Sequence, residues 1–194
     1  MYDALEKSHI RGFLAVMGTA TVILGAGYAM VQQSTRLSAN DIPLSLSQTV
    51  NNELASGNSP NDVIETQMVN LATNNNPFII ITDNSKHVLA STATLNGMTP
   101  LPPKGVFEYT STHGTDHFTW QPAEKVRLAT RVVSYSSKEQ GSGFIVTGQS
   151  LSPYEDRINV YGELALTAWF AVLAWNYLLL VLTERRLKIK KITT

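Results

Sequence analysis

The stretch PFIIITDNSKHVLAST (residues 77–92) has the pattern of a β-hairpin. An apolar run is followed by the polar residues 83–86 and then by a second, shorter apolar run. Because Asp, Asn and Ser side chains hydrogen-bond to the backbone in turns, residues 83–86 are predicted to join two strands. This places a hairpin near the middle of the chain.

Two later stretches repeat this pattern. GVFEYTSTHGTDHFTWQP (residues 105–122) predicts a turn around His113 and Gly114, and VRLATRVVSYSSKEQGSGFIVTGQSL (residues 126–151) predicts one within residues 138–142. Since hairpins join antiparallel strands, we predict an antiparallel sheet of five strands. The predicted core residues are Phe78, Ile80, Val88, Leu89, Phe107, Trp120, Leu128, Val132, Phe144 and Val146.

The segment before the sheet, residues 36–76, is polar with apolar residues at helical intervals. These residues are Leu44, Val50 and Leu54, followed by Val63, Met68 and Leu71. They predict two helices separated by ASGNSP, the second beginning at Asn58 or Ser59 before Pro60. The predicted fold class is therefore α+β, with N-terminal helices and an antiparallel sheet.

Two apolar runs lie on either side of this region in the sequence. FLAVMGTATVILGAGYAMV (residues 13–31) and LALTAWFAVLAWNYLLLVL (residues 164–182) contain no charge. Each is roughly 28 Å long as a helix, which predicts two transmembrane helices. The alternative for the first run is a cleaved signal peptide, since Lys7 and Arg11 precede it and GYA has small residues at a suitable spacing. We favour retention, because the apolar cores of signal peptides are usually only about 7–15 residues long.

The charges are unevenly distributed although the net charge is zero. Residues 32–163 contain eight Lys and Arg against twelve Asp and Glu, whereas the remainder contains seven against three. The outer cations are Lys7, Arg11, Arg185, Arg186, Lys188, Lys190 and Lys191. By the positive-inside rule, residues 1–12 and 183–194 are predicted to be cytoplasmic and residues 32–163 to lie outside.

Several functional classes lose their usual signals. The chain has no Cys, which excludes disulfides, Cys-based zinc sites and thiol nucleophiles. The middle segment has no cluster of positive charge that would favour nucleic acid as a partner. No G-x-S-x-G, H-E-x-x-H or phosphate-binding glycine loop is present, so we expect neither an enzyme nor a cofactor. The glycines of Gly141-Ser142-Gly143 are interpreted as hairpin residues.

The sequence HGTDH (residues 113–117) is the closest approach to a metal-binding pattern. In a hairpin, His113 and His117 would face each other across the two strands, beside Asp116. The simpler interpretation, which we favour, is a solvated turn with polar ends.

The order of elements is similar to that in the extracytoplasmic PAS-like (single Cache) sensor domains of bacterial sensor histidine kinases and chemoreceptors. In that family an aspartate-containing turn follows the first strand, and the last strand leads toward the second membrane helix. The resemblance covers roughly residues 36–151 and implies a sensor domain outside the bacterial inner membrane. Those receptors continue into a cytoplasmic signalling domain, whereas only 12 residues follow Leu182 here.

A ligand pocket is expected between the sheet and a helix. Alternation along residues 126–135 places Arg127 and Arg131 on one face, where two guanidinium groups would suit a carboxylate or another small anion. The alternative is that both arginines face solvent. Tyr109, Trp120 and Tyr135 are the candidate pocket aromatics, with core packing as their alternative role.

The membrane helices carry candidate contact residues. Gly18, Thr21, Gly25 and Ala29 recur at helical intervals and predict a narrow face for close helix packing. Asn176 lies among leucines, where its amide is expected to bond to another helix of this chain, a second copy or another protein.

These expectations define two functional hypotheses. The first is an accessory sensor or binding subunit that detects a small molecule or a protein and acts through a membrane protein partner or a second copy, in contact with lipid. The second is a structural or assembly subunit of a larger membrane complex.

Overall fold

A computed structural model of the chain describes the backbone of residues 2–64, 67–139 and 141–192, and the side chains of residues 9–64, 67–139 and 141–185. The chain divides into two compact units. The helical unit contains residues 1–34 and 157–194, and the sheet unit is Thr35–Asp156. The side chains of Lys7 and of the cations beyond Arg185 lie outside the described residues.

The described part of the chain contains five helices and seven strands. The helices are α1 (Tyr2–Ser38), α2 (Asp41–Ala55), α3 (Pro60–Val63), α4 (Lys104–His113) and α5 (Ser152–Ile192). The strands are β1 (Val69–Asn70), β2 (Phe78–Asp83), β3 (Val88–Ser91), β4 (Ala93–Thr94), β5 (Thr115–Ala123), β6 (Val126–Ser137) and β7 (Gly141–Ser150).

The main sheet has five strands in the order β3-β2-β7-β6-β5, and all four pairings are antiparallel. The fold is therefore mixed α+β, with an antiparallel sheet and two long apolar helices. The predicted turns at residues 83–86 and 138–142 are both confirmed, because β2 pairs with β3 and β6 pairs with β7 across them. Lys86 and Gly141 have φ angles of 69° and 73°, the left-handed conformation that tight turns require.

The hairpin predicted around His113 and Gly114 is wrong. Residues 104–113 form α4, which ends at Gly114 with a φ angle of 81°. Phe107 and Thr110 are three residues apart on one side of this helix, and both are buried. Burial of that side outweighed the strand preference of Val, Phe, Tyr and Thr in this stretch.

The prediction of a second helix within residues 36–76 is also largely wrong. Helix α3 follows Ser59, as predicted, but it has only four residues. Val69 instead lies in β1, which pairs in parallel with β4 outside the main sheet. Val69 and Leu71 are buried by alternation rather than at helical spacing, while Met68 is 53% exposed.

The sheet is covered on both faces. On one face, Phe107 of α4 packs with Phe78, Trp120 and Val132 in the larger core cluster. On the other face, Val50 and Leu54 of α2 pack with Ile79, Ile81, Tyr135 and Ile145. Of the ten predicted core residues, eight are buried, whereas Val88 and Leu89 on the edge strand β3 are 39% and 40% exposed.

The helical unit consists of two antiparallel helices. In the described residues, hydrogen bonds join Asn176 to Phe13 and Trp169 to Thr21, and the ring of Tyr28 lies beside Gly162. Residue numbers rise along α1 as they fall along α5, so the two helices run in opposite directions. Two described helical stretches, one within His9–Ala55 and the other Ser152–Arg185, are long and apolar enough to cross a membrane.

Candidate functional site

The two arginines of β6 lie on the face of the sheet that α2 covers. Arg131 and Val133 line a cavity together with residues of α2, and Tyr135, two residues further on, packs in the cluster of Val50 and Leu54. The predicted alternation of Arg127 and Arg131 on one face therefore agrees with the structure. Helix α2 covers part of this face of the sheet, so only the remainder is open to solvent.

The five candidate ligand residues do not share one pocket. Trp120 is buried in the opposite core cluster, 6.5 Å from the ring centroid of Phe78. Tyr109 is 49% exposed on α4, where its ring stacks on His113 with the centroids 4.0 Å apart. Only Arg127, Arg131 and Tyr135 lie on the face toward α2.

The two arginines differ in their partners. Arg127 Nη1 donates to the carboxylate of Glu155, at the start of α5, so its charge is paired. Arg131 Nη1 donates to Thr115 Oγ1 at 2.9 Å, and this is its sole hydrogen bond among the described residues. Arg131 Nε is buried and has no acceptor in the same part of the chain. Because no carboxylate in the described part of the chain pairs with it, Arg131 is the arginine whose outer guanidinium nitrogens remain available to a ligand.

The larger cavity on this face, which we call the Glu53 cavity, has a volume of about 530 Å³. It lies between α2, α3 and the beginning of β2. This volume falls within the usual range of small-molecule sites, about 300–1,000 Å³. Its lining residues are Leu46, Thr49, Val50, Glu53, Asp62, Val63, Gln67, Val69, Asn76, Pro77, Ile79 and Thr92.

The Glu53 cavity is acidic. Among the described residues, Glu53 and Asp62 are the charged ones that line it, and no Lys or Arg does. Asp62 accepts a hydrogen bond from Ser59 Oγ at 2.6 Å, and Glu53 accepts one from Asn58 Nδ2. These neutral donors leave both negative charges uncompensated, so the cavity favours a cationic or neutral polar molecule.

The smaller cavity, which we call the Arg131 cavity, has a volume of about 190 Å³. It lies between α2, β5 and β6 and is lined by Leu44, Ser47, Gln48, Asn51, Thr115, Arg131 and Val133. No carboxylate is among these residues. Helix α2 therefore borders an acidic cavity and a basic one.

The less favoured alternative, a pair of histidines facing each other across a hairpin, does not form. His113 lies at the end of α4, where its Nδ1 is 3.0 Å from the carbonyl oxygen of Tyr109. His117 lies in β5 and is paired with Arg131 across the ladder. Among the described residues, no group of three or more His, Asp and Glu side chains is placed to hold a metal ion.

Two titratable groups have shifted pKa values. Burial raises the pKa of Tyr135 above its usual value, and the nearby charge of Asp83 adds to this effect. The pKa of Asp83 is lowered, chiefly because its carboxylate accepts a hydrogen bond from the backbone N–H of His87. The Tyr135 hydroxyl has no hydrogen-bond partner among the described residues.

A buried amide, which the sequence patterns did not single out, links three elements of the sheet unit. Gln149 is 4% exposed at the end of β7. Its Nε2 donates to the carbonyl oxygen of Ala39, in the turn between α1 and α2, at 3.0 Å, and to the Tyr154 hydroxyl of α5 at 2.8 Å. A Gln near the end of an otherwise apolar buried strand was the available signal.

The predicted helix contacts are formed in part. Asn176 Nδ2 donates to the Phe13 carbonyl oxygen at 3.3 Å, and Trp169 Nε1 donates to Thr21 Oγ1 at 2.9 Å. Gly18 and Gly25 do not contact α5, since a Cβ built at either position meets no atom within 4 Å, and Ala29 is exposed. The side of α1 toward α5 carries larger residues, including Met17 and Tyr28.

Comparison of the chain with protein-family models finds no match, and comparison with curated proteins finds no similar sequence. The resemblance to PAS-like sensor domains therefore remains a hypothesis based on the order of the elements.

Proposed function

We propose that this chain is a two-pass membrane protein whose sheet unit binds a small polar molecule outside the cytoplasm. It would act as an accessory sensor or binding subunit in a bacterial inner membrane. The observation that carries the proposal is the Glu53 cavity, which has the volume of a small-molecule site and is bordered by polar groups from several elements.

The helical unit supports the membrane part of the proposal. The most apolar parts of the two stretches are almost entirely uncovered by the rest of the protein. Apolar side chains that are not covered by protein are suited to contact with lipid. The cationic flanks of the apolar runs favour a cytoplasmic location for both termini.

The exposed small residues of α1 support a membrane partner. Gly18, Gly25 and Ala29 lie on a side of the helix that α5 does not cover. Small residues allow close approach of a second helix in a membrane. A second copy or another subunit would therefore pack on this side, in line with an accessory role.

The charges around the Glu53 cavity suggest the class of ligand. An ammonium group that enters the cavity would form charge-assisted hydrogen bonds with Glu53 and Asp62. A neutral polar molecule would use the hydroxyl and amide groups of Thr49, Gln67 and Asn76. Small amines and neutral polyols are thus the first compounds to test.

The test is a thermal-stability screen of the full chain in detergent with small amines and polyols. A ligand that binds only the folded protein raises the melting temperature. For an amine, Glu53→Gln is expected to weaken binding about tenfold, equivalent to about 1.4 kcal/mol. Glu108→Gln is the control, because Glu108 is exposed on α4 and does not line the cavity.

For a neutral polyol, the informative variant is Thr49→Trp, which would fill part of the cavity and abolish binding. If no compound binds and the chain co-purifies with another membrane protein in fixed ratio, the alternative of a structural or assembly subunit is favoured instead.

A further inference from the structure

We infer that the Arg131 cavity is a second binding site, which takes a small oxyanion such as the carboxylate of a short organic acid. This cavity is separate from the Glu53 cavity and has the opposite charge. The inference therefore goes beyond the proposed function, and the two can fail independently.

The guanidinium of Arg131 has an incomplete set of hydrogen bonds. Its Nη1 donates to Thr115 Oγ1, whereas its buried Nε has no acceptor among the described residues. Nη2 also has no hydrogen-bond partner among the described residues, and unlike Nε it is not enclosed by protein, so a ligand oxygen can reach it. Nη1 keeps a second N–H and forms the outer edge of the guanidinium with Nη2, and a carboxylate can bind this edge with two parallel hydrogen bonds.

The surroundings of Arg131 favour an anion over any other ligand. No Asp or Glu of the described chain lines the cavity, so no carboxylate among these residues neutralises the guanidinium charge. Gln48 and Asn51 of α2 line it, and within the described chain their side-chain amides form no hydrogen bonds, which leaves two further donors. His117 is the cross-strand partner of Arg131 in β5.

The volume of the cavity limits the size of the ligand. About 190 Å³ equals the space of roughly six water molecules at about 30 Å³ each. This admits a short organic acid or an inorganic oxyanion. It is too small to enclose a whole nucleotide.

Arg127 provides a matched control within the same strand. It lies four residues from Arg131 on the same face, but its charge is paired with Glu155. If positive charge alone attracted anions, either arginine would serve. If the unsatisfied guanidinium edge is the determinant, only Arg131 will matter.

The experiment is calorimetric titration of the full chain in detergent with acetate, succinate and inorganic phosphate at constant ionic strength. We expect at least one of these anions to bind the wild type and the Arg127→Gln variant with similar affinity. In Arg131→Gln the affinity should fall at least tenfold. Arg131→Lys keeps the charge but loses the planar edge, so it should also bind weakly.

Two controls keep the outcomes separate. The melting temperature of each variant without ligand shows whether Arg131→Gln is folded, and the guanidinium resonances of Arg131 in an NMR spectrum of the wild type report whether the ligand binds at this side chain. Binding of succinate or acetate without phosphate identifies a carboxylate site, whereas binding of phosphate identifies a broader oxyanion site.

The inference is overturned if none of the three anions binds, or if Arg131→Gln binds as well as the wild type. Neither result would affect the amine and polyol screen, because the Glu53 cavity shares no lining residue with the Arg131 cavity.

Discussion

Gly143 shows how a single residue sets the spacing of two strands. It lies in β7 opposite Asp83 of β2, and a Cβ at this position would be 1.9 Å from the carbonyl oxygen of Thr82. Since that atom belongs to the backbone of a neighbouring strand, it cannot move aside without displacing the sheet. Glycine is required at position 143 because the backbone of β2 lies too close to leave room for a side chain.

We therefore predict that Gly143→Ala lowers the free energy of unfolding of the sheet unit by about 2 kcal/mol or more. The matched control is Gly105→Ala in α4, where a Cβ meets nothing within 4 Å. This change should be neutral or stabilise by up to about 1 kcal/mol. Chemical denaturation of both variants in detergent is the measurement, and equal stabilities would contradict the prediction.

The buried hydroxyl of Tyr135 makes stability depend on alkaline pH. Its pKa is raised from 10.0 by burial. Below pH 10 both the folded and the unfolded state keep the proton, so the full stability is present. Above that pH the unfolded chain ionises more readily than the folded one, and stability falls as the pH rises through the folded pKa.

Tyr135→Phe should remove this loss. At pH 7 the variant is expected to be as stable as the wild type, or more stable by up to about 1 kcal/mol, because the hydroxyl has no described partner. Its advantage should be constant below pH 10 and grow as the pH rises above that value, which denaturation curves at several pH values from 8 to 11 would show. A constant difference across this range would mean that Tyr135 ionises equally easily in both states.

At the scale of elements, local patterns predicted the turns at residues 83–86 and 138–142 but not α4. The turn at residues 83–86 has its signal in the side chains themselves, since Asp83 Oδ1 accepts the backbone N–H of His87 at 2.8 Å. In residues 105–113 the side chains favour a strand, whereas the structure has a helix. Helix formation there depends on packing against β5 and β6, which follow later in the chain.

The candidate site was predictable to a similar extent. Alternation placed Arg127 and Arg131 on one face, because strand periodicity is a local property. The pairing of Arg127 with Glu155 spans 28 residues and depends on where α5 begins, so it could not be inferred from the strand. The acidic cavity likewise depends on Glu53, Asp62 and Asn76 meeting across three segments.

Gln149 of β7 connects the turn between α1 and α2 with the start of α5. The sequence pattern does not predict that these segments meet. Gln149→Leu would leave the Ala39 carbonyl and the Tyr154 hydroxyl without their donor. We predict a loss of about 1–3 kcal/mol in the free energy of unfolding of the sheet unit. Gln121→Leu on β5, where the side chain is exposed, is the control and should change it by less than about 0.5 kcal/mol. Equal effects of the two substitutions would show that the buried bonds are not stabilising.

At the scale of the whole molecule, the antiparallel pair of α1 and α5 has a consequence for membrane topology. Because the helices run in opposite directions, His9 and Arg185 lie toward the same end of the helical unit. The cations that flank the apolar runs are concentrated beyond this end in the sequence. By the positive-inside rule this end is expected to be cytoplasmic, with the sheet unit on the other side of the membrane.

The absence of Cys allows a direct test by single-cysteine labelling. We predict that Ser85→Cys, at an exposed turn of the sheet unit, reacts with a membrane-impermeant maleimide added to intact spheroplasts. Glu184→Cys, at the cationic end of the second apolar run, should react only after the membrane is permeabilised. Both positions are exposed in the protein, so a difference in labelling would report the membrane barrier rather than burial. Labelling of Glu184→Cys in intact spheroplasts together with protection of Ser85→Cys would establish the inverted orientation, and with it a cytoplasmic location for both candidate cavities.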